Sequence, residues 1–139
     1  MVNKTPLNPQ RIRKITGSFA FIEHRFLRDD FFTNLTQHEL ILYVFLILVS
    51  DRNGISYYSY DRICTLLRIS LDEYLFARNA LIKKDLIAFN GDVFQVLSLP
   101  EKHKEKNTNP VIEKSEMAQK DPATIRKIIR ETMGEYHDR

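Results

Sequence analysis

Cysteine is nearly missing from this chain: Cys64 is the only one among 139 residues. A lone thiol excludes an internal disulfide and any zinc site built from several cysteines. It also fits a reducing compartment. Glycine is scarce, with four residues, too few for an all-β protein or a phosphate-loop enzyme. No long apolar run is present. The longest, "LILYVFLILV" from Leu40 to Val49, has ten residues, with His38 and Glu39 before it and Ser50, Asp51 and Arg52 after it. A membrane span needs roughly 20, so the run reads as a buried core helix and no membrane partner is expected. "MVNKTPLNPQRIRK" at the N-terminus lacks the apolar stretch of a secretory signal. A cytoplasmic location is expected, and the sequons at Asn3 and Asn34 then carry no weight.

Residues 1–16 hold four basic groups and lack acidic ones. Residues 17–100 hold eight basic and ten acidic groups, and residues 101–139 nine and eight. The compact part is therefore slightly acidic, and the basic charge sits in an N-terminal arm. With 43% apolar and 11% aromatic residues, the chain has enough for one packed domain.

"GSFAFIEH" (17–24) alternates weakly and reads as a short strand. "RFLRDDFFTNL" (25–35) places Phe26, Leu27, Phe31 and Leu35 at helical spacings. "TQHE" is a capping box, with Thr36 capping forward and Glu39 reaching back. The helix it opens, 37 to about 51, is apolar almost all round, as at the centre of a core or at a subunit interface. "DRNG" is a turn, and "ISYYS" a short β-branched and aromatic strand. Of Tyr57 and Tyr58, alternation turns one outward.

Ser59 can cap the next helix, which buries Ile63, Leu66 and Leu67. Ser70 and Glu73 form a second capping box. The helix after it carries an apolar stripe of Leu71, Tyr74, Leu81 and, less cleanly, Leu75 and Ile82. "LIAF" and "VFQVLSL" flank "NGD", and Asn-Gly is the strongest short hairpin signal. Residues 101–120 are charged, without apolar periodicity, and read as a linker or a disordered segment. Order returns at Asp121, a good N-cap, with Pro122 at the first helical position. Ile125, Ile128, Ile129 and Met133 share one face of this amphipathic helix. It either docks on a partner or packs back on its own domain.

Catalytic patterns are missing. His24, His38, His103 and His137 are scattered, so no metal site is expected. Cys64 reads as a buried inert thiol. Asp29-Asp30 and Asp72-Glu73 are adjacent pairs, and neighbours on a helix point to different faces. Neither a phosphate loop nor a hydrolase or zinc-protease motif is present. The expectation is a protein that is no enzyme and needs no cofactor.

The element order is helix 36–51, strand 55–58, helix 60–67, a turn "RIS", helix 71–84 and hairpin 86–98. The phrases "YSYDRICTLLRISLDEYLFARNALIKKDLIAF" and "NGD" resemble the winged helix-turn-helix superfamily over residues 18–99. Family members close the second helix with a glycine, and here "LIKKDLI" has Asp85 in that place. More narrowly, the segment resembles small bacterial winged-helix proteins encoded near transposase or replication genes on mobile elements. Replication-initiator and MarR-type regulator domains share the order.

The resemblance implies a mainly α fold with a small β-hairpin, and insertion of helix 71–84 into the major groove of double-stranded DNA. With the apolar stripe inward, Asp72, Glu73, Phe76, Asn79, Ala80 and Lys83 face out. Asn79 suits adenine and Lys83 suits phosphate. Arg11, Arg13 and Lys14 in the arm, Ser59, Arg62, Arg68 and Ser70 around the first helix and turn, and Asn90 at the wing tip complete the expected contacts. Arg78 falls near the apolar stripe and reads as paired with an acid such as Asp61 or Asp51.

Two acids at the start of the reading helix oppose phosphate, and an outward Phe76 is more usual for a protein contact. The alternative reading is therefore an adaptor. Its apolar central helix and Phe76 would meet a partner or a second copy, and Ile125, Ile128 and Ile129 would dock a larger protein.

Overall fold

The computed structural model describes residues 2–101 and 121–137. Apart from Glu101, the expected linker, 101–120, lies outside the described residues, as does the Met133 side chain. Among the described residues, five α-helices and a three-stranded antiparallel sheet form the fold. Helix α1 spans Arg25–Arg28, α2 Gln37–Val49, α3 Tyr60–Leu67, α4 Leu71–Lys83 and α5 Pro122–His137. Strand β1 is Ile55–Ser56, β2 Ile87–Phe89 and β3 Phe94–Val96. The central strand is β3, pairing with β1 on one side and β2 on the other.

Helix α2 is central. Leu42, Tyr43, Leu46 and Ile47 are buried, and the helix lies against α4 and β3. Thr36 accepts from the Glu39 amide at 3.3 Å. The Glu39 carboxylate, however, is taken by the Thr36 hydroxyl and by Lys84 Nζ at 2.5 Å. The expected reach back to the backbone thus becomes a bridge from the start of α2 to the end of α4.

Helix α4 begins with the expected capping box. Ser70 Oγ accepts from the Glu73 amide at 3.1 Å, and Glu73 Oε1 from the Ser70 amide at 2.8 Å. It ends in a Schellman motif. The Leu86 amide donates to Leu81 O and the Asp85 amide to Ile82 O, with Asp85 at φ 65°. Asp85 thus adopts the left-handed conformation that glycine supplies in the family pattern. Helix α3 closes the same way. Arg68 sits at φ 57°, the Ile69 amide donates to Cys64 O, and Ile69 is buried.

Four local expectations are corrected. Residues 17–24 form no strand; Phe19 and Phe21 are exposed, so their alternation has no face to bury against. The expected helix over 25–35 is broken at Asp30, whose φ of 68° cannot continue a right-handed helix. Phe26 and Phe31 still reach the core, whereas Leu27 is exposed, as is Leu66 on α3. Ser59 occupies the N-cap position of α3 without a capping bond from its side chain. Its hydroxyl, beside the Asp61 carboxyl, is the first cause holding that group below its usual range.

The C-terminal helix packs on its own domain. Helix α5 lies against α3 and α4. Asp121 caps it as expected, accepting from the Ala123 amide at 3.3 Å. Asp121 and Ala123 are buried, while Ile125, Ile128 and Ile129 are 37%, 48% and 52% exposed. The isoleucine face is therefore only half covered. The first turn of α5, together with polar and charged side chains, holds it in place.

Candidate nucleic-acid interface

The solvent side of α4 carries Asp72, Phe76, Asn79 and Lys83, whose spacing of four, three and four residues makes one continuous stripe. Phe76 is 81% exposed. Both acids at the start of the helix have internal partners. Glu73 closes the capping box and lies 3.3 Å from His38 Nε2; the Ser70 bonds, foremost, hold its carboxyl below the usual range. Asp72 Oδ1 lies 3.0 Å from Arg130 Nη2 and 3.5 Å from Lys127 Nζ, both on α5. The negative charge that opposes phosphate at this end is compensated from within the chain.

Behind the stripe sits Arg78, with 0% exposure. The expected partners Asp61 and Asp51 are not its partners. Its Nη1 lies 2.6 Å from Asp121 Oδ2, and Asp121 is itself 1% exposed. That contact is a charge pair rather than a well-aligned hydrogen bond. Arg78 Nε and Nη2 both donate to Asn79 Oδ1, at 3.3 and 3.1 Å. Nη2 also donates to Thr124 Oγ1 at 3.4 Å. The guanidinium lies 5.5 Å from the centre of the Tyr74 ring and 4.9 Å from that of Phe89. A buried counter-charge, two aromatic rings nearby and hydrogen bonds from Nε and Nη2 together make a buried arginine tolerable here. Sequence reasoning placed Asp121 only as a cap. The signal that could have extended it is the aspartate's position at the head of a helix able to fold back.

The other expected contacts scatter around this centre. Arg62 is exposed, its guanidinium 5.1 Å from the centre of the Tyr58 ring, while Tyr57 faces solvent. Arg68 is exposed at the turn between the two helices. The Ser70 hydroxyl belongs to the capping box, and Asn90 Oδ1 accepts from the Asp92 and Val93 amides at 2.9 and 2.8 Å, closing the wing tip. Ser59, Asn79 and Lys83 are exposed. Arg11, Arg13 and Lys14 belong to an arm in which every residue from 2 to 24 is exposed. A cavity of about 260 Å³ lies where segment 57–60, the wing tip at Gly91 and Asp92, and Asp121-Pro122 converge.

Two cations of α5 escaped sequence reasoning as contributors to this surface: Lys127 and Arg130. Burial and then the Asp61 charge raise the Cys64 thiol above its usual range. It therefore stays protonated at neutral pH and is a weak nucleophile. No helix of the described residues is long and apolar enough to cross a membrane.

No curated protein and no solved structure matches the chain. A family model described as a helix-turn-helix domain matches residues 33–87. That span runs from the 3-10 turn before α2 to the first residue of β2, and so includes α3, the "RIS" turn and α4. Over these residues the chain is similar to a helix-turn-helix domain, a class associated with DNA binding.

Proposed function

We propose that this chain binds double-stranded DNA as an accessory or regulatory protein. In this reading α4 enters the major groove, while the wing and the basic arm follow the backbone. The observation that carries it is the stripe Asp72, Phe76, Asn79 and Lys83 on a helix-turn-helix, with its acidic end neutralised by Lys127 and Arg130. Arg68 adds support. It is an exposed arginine in a left-handed conformation at the turn, where glycine would cause less strain. A role on a mobile element or in replication rests on the family resemblance.

Phosphate contacts release counterions, so affinity falls steeply with salt in proportion to the phosphates neutralised. The test is a salt titration of binding to random and genomic duplex, with full-length protein and with a form lacking residues 1–16. A steep slope, lowered by the truncation, supports domain and arm acting together. Absence of binding at low salt refutes the reading.

A second reading has its own observation. The exposed Phe76 and the half-covered isoleucine face of α5 suit a protein contact, whether a partner or a second copy. Under that reading Phe76→Ala lowers self-association or partner capture and leaves DNA untouched.

A further inference from the structure

Asn79 is the one neutral polar residue on the outward stripe of α4, and its neighbour Arg78 determines which atoms it can offer. A guanidinium only donates hydrogen bonds, so the group facing it must be the amide oxygen of Asn79. Both Nε and Nη2 of Arg78 donate to that oxygen, and a carbonyl oxygen has two lone pairs. The acceptor capacity of Asn79 is therefore filled from within the protein. What remains on the exposed side is the NH₂ group, a donor alone. Arg78 cannot easily turn away, because it is fully buried, pairs with the buried carboxylate of Asp121 and lies close to the Tyr74 and Phe89 rings.

We infer that Asp121 and Arg78 position Asn79 as a donor-only reader that selects guanine over adenine. This rests on the DNA-binding reading above. Asparagine recognises adenine when its oxygen accepts from N6 while its nitrogen donates to N7; guanine presents two acceptors there, N7 and O6. With its oxygen engaged, Asn79 meets the adenine N6 donor with no acceptor. Against guanine its NH₂ finds acceptors on both major-groove atoms. The expected adenine contact of Asn79 is thereby reversed. Arg78 and Asp121 are positioning residues that act through Asn79. Asp121 belongs to the segment after residue 120, so the reading helix takes its preference partly from the far end of the chain.

The test is selection of bound duplexes from a randomised pool by the full-length protein, Asn79→Ala, Asp121→Asn and Asp121→Glu. Asn79→Ala, whose fold is checked by circular dichroism because it removes the acceptor of two Arg78 bonds, identifies the base pair that Asn79 reads. The wild type is expected to favour guanine at that pair by on the order of 10-fold. Asp121→Asn loosens Arg78, and the preference should move toward adenine, read as the guanine-to-adenine ratio at that pair so that a change in overall affinity cancels. Asp121→Glu should restore guanine, which a purely structural role for the charge does not require. If Asp121→Asn fails to fold, the comparison of wild type with Asn79→Ala decides alone. An adenine preference in the wild type, or no position altered by Asn79→Ala, overturns the inference while leaving DNA binding in place. No binding to any duplex removes the underlying reading and this one with it.

Discussion

Replacing Asp121 with alanine leaves a fully buried guanidinium without its counter-charge. If the site stayed closed, the loss would be about 3–5 kcal/mol, as for other buried pairs deprived of one partner. The protein has a way to relieve that cost, because α5 can lift away and admit water to Arg78. The price of lifting is set by what holds α5. Ala123 is buried, and three isoleucines are roughly half covered. Half-burying an isoleucine contributes about 1 kcal/mol. The apolar hold is thus about 3–4 kcal/mol before the entropy of ordering the helix is subtracted, which brings it below the penalty for the unpaired charge. Undocking should win. Amide hydrogen exchange should show residues 123–132 losing protection by about 100-fold. The buried part of α4, residues 74–82, should change by less than about 10-fold. The reasoning fails if α5 keeps its protection while the melting temperature drops by the full penalty. It fails equally if neither changes.

Three further outcomes are expected. Gly54→Ala should cost at least about 3 kcal/mol in urea denaturation; a Cβ there would lie 2.5 Å from the Val96 carbonyl oxygen at a φ of +82°, and a loss below 1 kcal/mol would show that the turn can move. Arg68→Gly should raise stability by about 1 kcal/mol by relieving the left-handed strain and should flatten the salt dependence of duplex binding. A stabilised variant with unaltered binding would remove Arg68 from the interface. Burial, above all, pushes Tyr43 and Tyr74 up to about 12 from 10.0. Above pH 10 the unfolded chain binds fewer protons than the folded one. Stability therefore falls from pH 10 to 12, by on the order of 3 kcal/mol for each tyrosine. Denaturation followed with phenolate absorbance should show two tyrosines titrating only on unfolding.

Much of the fold was legible because the signals were local. Ser70 and Glu73 form their capping box within four residues, and the "NGD" tip closes on the Asn90 side chain. Helices α3 and α4 fall within a residue of their expected bounds. The losses came where a local pattern needed a distant partner. "GSFAFIEH" alternates like a strand, but the sheet is complete with β1 and β2 at its edges. Glu39 had a backbone target in reach, yet Lys84, 45 positions away, holds its carboxylate. The apolar face of α5 looked like its docking face, yet Asp72 and Arg78 engage its charged and polar side chains instead. Periodicity tells which residues share a face, and ion pairs across the chain decide which face turns inward.

The same logic bears on the acids at the start of α4. An aspartate and a glutamate in the first turn stabilise a helix through its exposed amides and dipole, each by about 0.3–1 kcal/mol. That stability would oppose phosphate if the charges were left bare. Glu73 is drawn back into its own cap and toward His38, and Asp72 is faced by two cations from α5. Local helix stability and a surface compatible with DNA are thus reconciled by a segment outside the helix-turn-helix itself. Residues 33–87 taken alone would present Asp72 without these partners. In the DNA-binding reading, a chain ending at residue 120, with arm and sheet retained, should bind duplex more weakly than the full chain at equal salt. The contribution of α5 to binding then lies in its charge and not in its isoleucines, so Lys127→Gln with Arg130→Gln should reproduce the loss while Ile128→Ser should not.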